Sequence, residues 1–336
     1  MANLPVVLSG MRPTGRLHIG NLVGALNNWV KLQDKYKSFY MIADWHALTS
    51  EYARSKEISK DIKEMVVDWL AVGINPEKST IFIQSRVTQH AELHLLLSMI
   101  TPISWLERCP TYKEQLKEIK DKDLSNYGFL GYPVLQAADI LMYKAEIVPI
   151  GQDQLPHLEL TREICRRFNY LYGEVFPEPK HLFTEVPKIL GTDGRKMSKS
   201  YNNCIYISDS KEEITKKIKT CYTDPRKIHL GDAGHPEECP IFLLHFIYSF
   251  KEKENIKVDC KSGKLGCVDC KKILIKNILL GLDAIHQRRD LIITKKGYIN
   301  DVLEDGIKKA RLVAERTMQE VRRAVFGEKS ERSRES

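Results

Sequence analysis

Two short segments, far apart in the chain, carry residue types suited to handling phosphate. The first is His18-Ile-Gly-Asn21, reached through Ser9-Gly-Met-Arg-Pro-Thr-Gly15. The apolar run Leu4–Leu8 before it reads as a buried strand, and Leu22, Leu26 and Trp29 after it take up helical spacing. A strand, a glycine-containing turn and a helix start place free backbone N–H groups and the positive end of a helix dipole against whatever occupies the turn, and a phosphate suits both. Neither the G-x-x-x-x-G-K-[ST] nor the G-x-G-x-x-G fingerprint is present. The second segment, Lys196-Met-Ser-Lys-Ser200, follows Gly191-Thr-Asp-Gly-Arg195. It supplies two lysines in a flexible, glycine-flanked context.

A third constellation is Cys239-x20-Cys260-x6-Cys267-x2-Cys270. Four thiolates at this spacing suit tetrahedral zinc or a [4Fe–4S] cluster alike on grounds of ligand softness. Zinc more often uses two short pairs, and only one is found here. The other four cysteines, Cys109, Cys165, Cys204 and Cys221, are scattered and read as small packing residues. A disulfide framework is not expected in a cytosolic chain.

The elements that must hold these segments alternate in the first half. Phe39–Ala43 and Thr80–Ile83 read as strands two and three, with helical stripes at Ile58–Trp69 and Leu93–Ile100. This βαβαβ rhythm predicts an α/β fold: a Rossmann-like parallel sheet with helices on both faces. Residues 101–146 break the rhythm with the charged segment Lys113–Asp123 and then Tyr132–Leu141, and read as an insertion. Ile147–Ile150 returns to the sheet and runs into Gly151-Gln-Asp-Gln154 and a helix over Leu158–Phe168. From about Ser208 the pattern is helical, over 211–220, 241–251, 271–290 and 302–325. The expected organisation is a catalytic domain over 1–203 with an insertion at about 101–146, an all-α C-terminal domain over 204–327, and a polar, disordered tail over 328–336.

The 336 residues suffice for two cores, and 43% hydrophobic with 29% charged residues describes an ordinary globular chain. No apolar run approaches the roughly 18 residues of a membrane span, and no secretory pattern opens the chain, so a cytoplasmic location without membrane attachment is expected. The net charge of +8 is uneven: residues 1–186 hold 21 Lys/Arg against 22 Asp/Glu, whereas residues 187–336 hold 31 against 22. The excess in the second half suits a polyanionic partner.

His18-Ile-Gly-Asn21 and Lys196-Met-Ser-Lys-Ser200 together resemble the two signatures of class I aminoacyl-tRNA synthetases. Gly131-Tyr-Pro-Val-Leu-Gln-Ala-Ala-Asp-Ile-Leu141, Pro149-Ile-Gly-Gln-Asp-Gln154 and His157-Leu-Glu-Leu-Thr-Arg162 extend the resemblance to the tryptophanyl-tRNA synthetases, from Val7 to about Phe326. The resemblance implies activation of L-tryptophan by ATP and Mg²⁺ to tryptophanyl-adenylate and pyrophosphate, then transfer to tRNA(Trp). It implies that Lys196 and Lys199 neutralise the leaving pyrophosphate, with Met197, Ser198 and Ser200 in the same ATP-binding loop. His18, Gly20 and Asn21 would face phosphates and ribose, and Arg12, Pro13 and Thr14 would line that turn; the family often has Gln at the place of Arg12. Gly151 and Asp153 would hold the ribose and adenine side, and backbone near Ile189 would meet adenine. Gln152 stands where Glu is more usual, which removes a charge beside the nucleotide. Asp139 would accept from the indole N–H, which is a donor only, while Tyr132 and Gln154 would receive the α-amino group. A subset of the family carries a [4Fe–4S] cluster on such cysteines in the anticodon-binding domain, so the resemblance favours iron–sulfur over zinc at Cys239, Cys260, Cys267 and Cys270. It also implies a homodimer through elements around residues 100–145.

Three other readings compete. Tyrosyl-tRNA synthetases share fold and signatures, and Asp139 could accept from a phenol. A non-catalytic RNA-binding protein on the same fold has no need of the Lys196–Ser200 loop. A simple nucleotidyltransferase has no need of the basic helical half or the cysteine cluster.

Overall fold

The computed structural model describes residues 4–109, 126–183, 189–229 and 231–327. The charged segment Lys113–Asp123 and the tail over 328–336 lie outside the described residues. Five strands form one wholly parallel sheet: β1 (Val6–Met11), β2 (Lys37–Ile42), β3 (Ser79–Ile83), β4 (Ile147–Ile150) and β5 (Lys180–Phe183), in the order β3-β2-β1-β4-β5. The chain starts in the middle, winds outward to β3, then crosses back to β4. That reversal beside β1 opens a crevice at the carboxyl ends of β1 and β4, where open α/β sheets take ligands.

The helices are α1 (residues 19–32, with a π-helical turn over Leu22–Leu26), α2 (Asp44–Glu51), α3 (Ser55–Val72), α4 (Gln89–Ile100), α5 (Tyr127–Met142) and α6 (Leu155–Tyr172). After the Lys196–Ser200 loop come α7 (Lys211–Thr220), α8 (Pro240–Tyr248), α9 (Lys253–Lys261), α10 (Cys267–Thr294) and α11 (Tyr298–Phe326). The central strands are apolar along their length because helices cover both faces. Trp29 of α1 stacks on Tyr40 of β2 with ring centroids 4.6 Å apart, and Trp69 of α3 meets Trp29 edge-on at 5.0 Å.

The helical second half is built onto the sheet. Ile19 donates to the Ile205 carbonyl at 2.9 Å and Ile207 to that of Leu17 at 2.8 Å, so the chain leaving the lysine loop pairs with the start of α1. Arg16 hydrogen-bonds Ser208 and Asp209, both at 2.9 Å. Arg289 of α10 pairs with Glu64 and, at 3.2 Å, with Asp68 of α3. Burial pushes the Asp68 carboxyl up to about 6, with Arg289 working against it. Helix α11 packs on β3 so closely that a Cβ on Gly306 would fall 1.7 Å from the Ile81 carbonyl oxygen. One continuous core therefore runs from Leu8 to Val321.

Among the described residues the structure adds four elements to the sequence reading, one of them a short helix over Ile103–Glu107. Strand β5 carries only Leu182 and Phe183 as apolar residues and is largely exposed, so it lacks the buried-strand pattern. Helix α2 buries Asp44, Ala47 and Ser50, which form no hydrophobic stripe. Helix α9 buries only Ile256. The second part of the segment read as an insertion, α5, is a core helix with Val134, Ala137, Ala138 and Leu141 buried.

Candidate active site

The carboxyl ends of β1, β2 and β4 open on one cleft of about 630 Å³, within the usual range for small-molecule sites. Arg12, Gly20, Asn21, Tyr132, Asp139, Gly151, Asp153, Gln154 and Lys196 all line it, so residues from five separate stretches meet there. Pro13, Thr14, His18, Gln152, Ile189, Met197, Ser198, Lys199 and Ser200 are not among its lining residues. The Ile189 carbonyl is already taken by the Met197 N–H at 3.0 Å, and Met197 is itself buried.

The first turn is self-braced. The His18 N–H donates to Asn21 Oδ1 at 3.0 Å, which caps the start of α1. The His18 ring lies over Gly20, where a Cβ would come 2.6 Å from Nδ1; this spacing requires glycine there. Among the described residues His18 Nδ1 is buried with no hydrogen-bond partner, and burial, helped by Lys199, pushes the imidazole down to about 4. It is therefore neutral at pH 7. Arg12 also lines the cleft; the protein around it lowers its pKa, opposed by Tyr132 and Glu51.

The two signature segments meet. Lys199 Nζ donates to the carbonyls of Thr14 at 3.1 Å and Gly15 at 2.9 Å, although 185 and 184 residues separate them in sequence. Burial lowers the Lys199 ammonium to about 8, with Asp61 opposing. The loop behind it is organised by Asn203, which is buried. Its Nδ2 donates to Asp193 Oδ1 at 2.7 Å and to the Lys196 carbonyl at 3.1 Å, and its Oδ1 accepts from the Ser198 N–H at 2.8 Å.

The opposite wall carries Asp139, which is 1% exposed. Three side chains donate to its two oxygens: His46 Nε2 at 2.7 Å, His90 Nδ1 at 2.6 Å, and Gln84 Nε2 to both oxygens at 2.8 and 2.9 Å. Burial alone would raise its pKa, but the hydrogen bonds from His46 and His90 hold it down at about 2, so Asp139 is a fixed carboxylate. Tyr132 Oη meets His157 Nε2 at 2.9 Å, and burial pushes His157 down to about 4, leaving it a neutral acceptor.

Sequence reasoning missed His46, Gln84, His90, His157 and Asn203. A signal existed for the first two. Gln84 follows directly on the carboxyl end of β3, and His46 lies in the first turn of α2, just past the end of β2, the positions where such sheets expose functional groups. Asp44 ties those two strand ends together by accepting from the backbone N–H of Trp45 at 3.1 Å and of Ser85 at 3.0 Å. His90 and Asn203 had no local signal, since each acts across a long sequence distance.

The four cysteines converge away from the cleft. Cys239, Cys260, Cys267 and Cys270 line one small cavity with Asp224, Lys227 and His235. Among the described residues no three His, Cys, Asp or Glu side chains already close on a metal-sized point. The thiols nonetheless feel one another: burial pushes Cys270 up to about 12, and the other three sulfurs push the same way. Backbone N–H groups of Phe242 and Ile241 oppose the burial that raises Cys239. A Cβ on Gly234 would meet Cys260 Sγ at 2.4 Å. Four thiols lining one small cavity, with backbone N–H groups aimed at Cys239 and His245 Nε2 3.3 Å from Cys270 Sγ, are a donor set that fits a thiolate-ligated metal group.

The profile of the tRNA synthetases class I (W and Y) family matches residues 3–280. A tryptophan–tRNA ligase of Thermotoga maritima is 54% identical over 322 residues, covering 95% of this chain and 98% of its own length. One from Aquifex aeolicus is 45% identical, covering 95% and 99%. The crystal structure of tryptophanyl-tRNA synthetase from Campylobacter jejuni complexed with ADP and tryptophan superposes with a TM-score of 0.84 at 33% identity, covering 94% of this chain and 98% of that one. Tyrosyl-tRNA synthetase from Archaeoglobus fulgidus, at 23% identity and a TM-score of 0.66, shares the fold.

Proposed function

The chain belongs to the class I tRNA synthetases for tryptophan and tyrosine, and from that premise we propose that it is a tryptophan–tRNA ligase working through the cleft described above. As an ATP-dependent aminoacyl-tRNA ligase it couples two steps. The tryptophan carboxylate attacks the α-phosphorus of ATP; the new bond is carboxyl oxygen to phosphorus, and the bond to the β-phosphate oxygen breaks. Tryptophan then passes from the adenylate to the 3′-terminal adenosine of tRNA(Trp).

In-line displacement at phosphorus asks the protein for position and charge neutralisation. The triphosphate lies over the turn ahead of α1, with Gly20 and Asn21 below it and Arg12 beside it. Lys196 and Lys199 take the developing charge on pyrophosphate. Gly151 and Asp153 hold the ribose side, and Tyr132 and Gln154 take the α-amino group. Asp139 receives the indole N–H. Mg²⁺ arrives with ATP on the phosphates. The observation that carries the reading is the contact of Lys199 with Thr14 and Gly15: the lysine that follows the leaving group in this reading already reaches the turn on which the triphosphate rests. ATP–pyrophosphate exchange with a panel of amino acids tests it. Tryptophan alone should support exchange; exchange with tyrosine in preference would overturn the assignment.

The same reading makes Cys239, Cys260, Cys267 and Cys270 the ligands of a [4Fe–4S] cluster, favoured over Zn²⁺ by the resemblance to the subset of the family that carries such a cluster, with the single short cysteine pair in the same direction. Bound there, the group would tie α9 and the first turns of α8 and α10 into one unit within a helical region that meets the tRNA anticodon. Protein purified without oxygen should be brown, with about four iron and four sulfide per chain, and Cys267→Ser should lose both colour and thermal stability. Colourless protein with one zinc per chain would reverse the choice of metal. The enzyme is further read as a cytoplasmic homodimer, in which a second copy covers Leu95, Met99 and Ile103, each more than half exposed in the single chain. No helix among the described residues is long and apolar enough to cross a membrane.

A further inference from the structure

We propose that His90, held by Tyr143, is the positioning residue that makes Asp139 present a single open acceptor site to the cleft, and so sets the demand for an N–H on the substrate's ring; this rests on the reading that Asp139 receives the indole. A carboxylate offers about four acceptor positions. His46, His90 and Gln84 occupy most of them, and all three act as donors. An ionised carboxylate only accepts, so His90 Nδ1 carries the proton. On its other side, His90 Nε2 lies 2.8 Å from the Tyr143 hydroxyl, which can donate to it while Nδ1 keeps its proton. This fixes the tautomer from behind.

The relay cannot rearrange easily. His90 is 0% exposed and Tyr143 is 2% exposed. The Tyr143 ring stacks on Phe39 with centroids 4.6 Å apart and meets Phe82 at 5.2 Å. The line therefore runs from the sheet core, through Tyr143 and His90, to a carboxylate on the cleft wall. The titratable groups that face Asp139 are His46 from α2, His90 and His94 from α4, and Tyr143 just beyond α5. With His90 in place, a ring without a donor leaves a buried acceptor site unpaired and is rejected. With His90 gone, the carboxylate can turn or take up a proton, and that rejection weakens.

The test compares tryptophan with its benzothiophene isostere, which has sulfur in place of the ring N–H, in ATP–pyrophosphate exchange. The full-length wild type should prefer tryptophan by about 10⁴-fold in kcat/KM. His90→Leu should shrink that preference at least about tenfold through the KM for tryptophan, leave the KM for ATP unchanged, and give tryptophan activity an acidic limb that the wild type lacks. His90→Asn, whose amide places an N–H where Nδ1 stood, should restore most of the preference, and Tyr143→Phe should show a smaller loss. An unchanged preference in folded His90→Leu, or equal behaviour of the Leu and Asn variants, would overturn the proposal. Should His90→Leu fail to fold, an unchanged preference in Tyr143→Phe overturns it instead. A wild type that does not discriminate would sink the Asp139 assignment itself, a result distinct from a discriminating wild type with unaffected variants.

Discussion

Replacing Asp139 by alanine is expected to abolish tryptophan-dependent ATP–pyrophosphate exchange, with a loss of about 10⁴-fold or more in kcat/KM for tryptophan. The magnitude follows from the way buried polar sites discriminate: a site built around a hydrogen bond loses 10⁴–10⁵-fold when one partner is missing. Asp139 is an extreme case of such a site. It is buried, ionised and the common acceptor for His46, Gln84 and His90. Its removal takes away the acceptor proposed for the indole and also orphans three donors, each unpaired group destabilising by roughly 1–3 kcal/mol. The variant should therefore melt earlier as well. Exchange assays run below its melting temperature, with circular dichroism on the same sample, separate the two effects. A folded Asp139→Ala protein that still exchanges with tryptophan would refute the role.

Lys199→Ala should lower kcat for the exchange by about 10²–10³-fold, the range for removing one preorganised donor to a developing negative charge. The pH profile makes the prediction sharper. Burial brings the free-enzyme ammonium down to about 8. A lysine is cationic below its pKa, so the competent form is full at neutral pH and is lost as pH rises through 8. The profile of kcat/KM for ATP, which reports the free enzyme, should fall roughly tenfold per pH unit above that point. Bound triphosphate favours the charged lysine and moves the limb in kcat to higher pH. Lys199→Arg keeps its charge at every accessible pH and should erase the alkaline limb. A limb that survives in Lys199→Arg would assign it to another group.

How much of this was legible in the sequence varies with distance along the chain. Four of the five strands announced themselves as apolar runs because they are buried on both faces, and Ile147–Ile150 was placed to the residue. Strand β5, exposed at the rim, gave no such run. The two segments proposed to meet phosphate were readable as a turn and a loop because such chemistry is local: glycines, an asparagine and paired lysines sit within a few residues of one another. The wall proposed to take the amino acid was visible in the sequence only in part. Asp139, Tyr132 and Gln154 were expected, and all three line the cleft. The donors that hold Asp139 come from α2, α4 and the end of β3, between 49 and 93 residues away, and no local pattern encodes such a meeting. Asn203 escaped for the same kind of reason. It looks like a polar loop residue until its amide is seen gathering Asp193, Lys196 and Ser198. The four cysteines were visible as a set, and they do share one cavity.

The absent side chain at Gly306 has a consequence for how the molecule comes apart. It lets the last helix lie directly on the backbone of the outermost strand, a row of peptide groups that other chains could otherwise recruit into intermolecular pairing. Peeling that helix away would bare this rim, and α10, joined to α3 by Arg289, ties the rest of the helical half to the sheet. Melting should accordingly be one cooperative event, and cutting the chain after the lysine loop should yield a sticky fragment rather than a free-standing nucleotide-binding half.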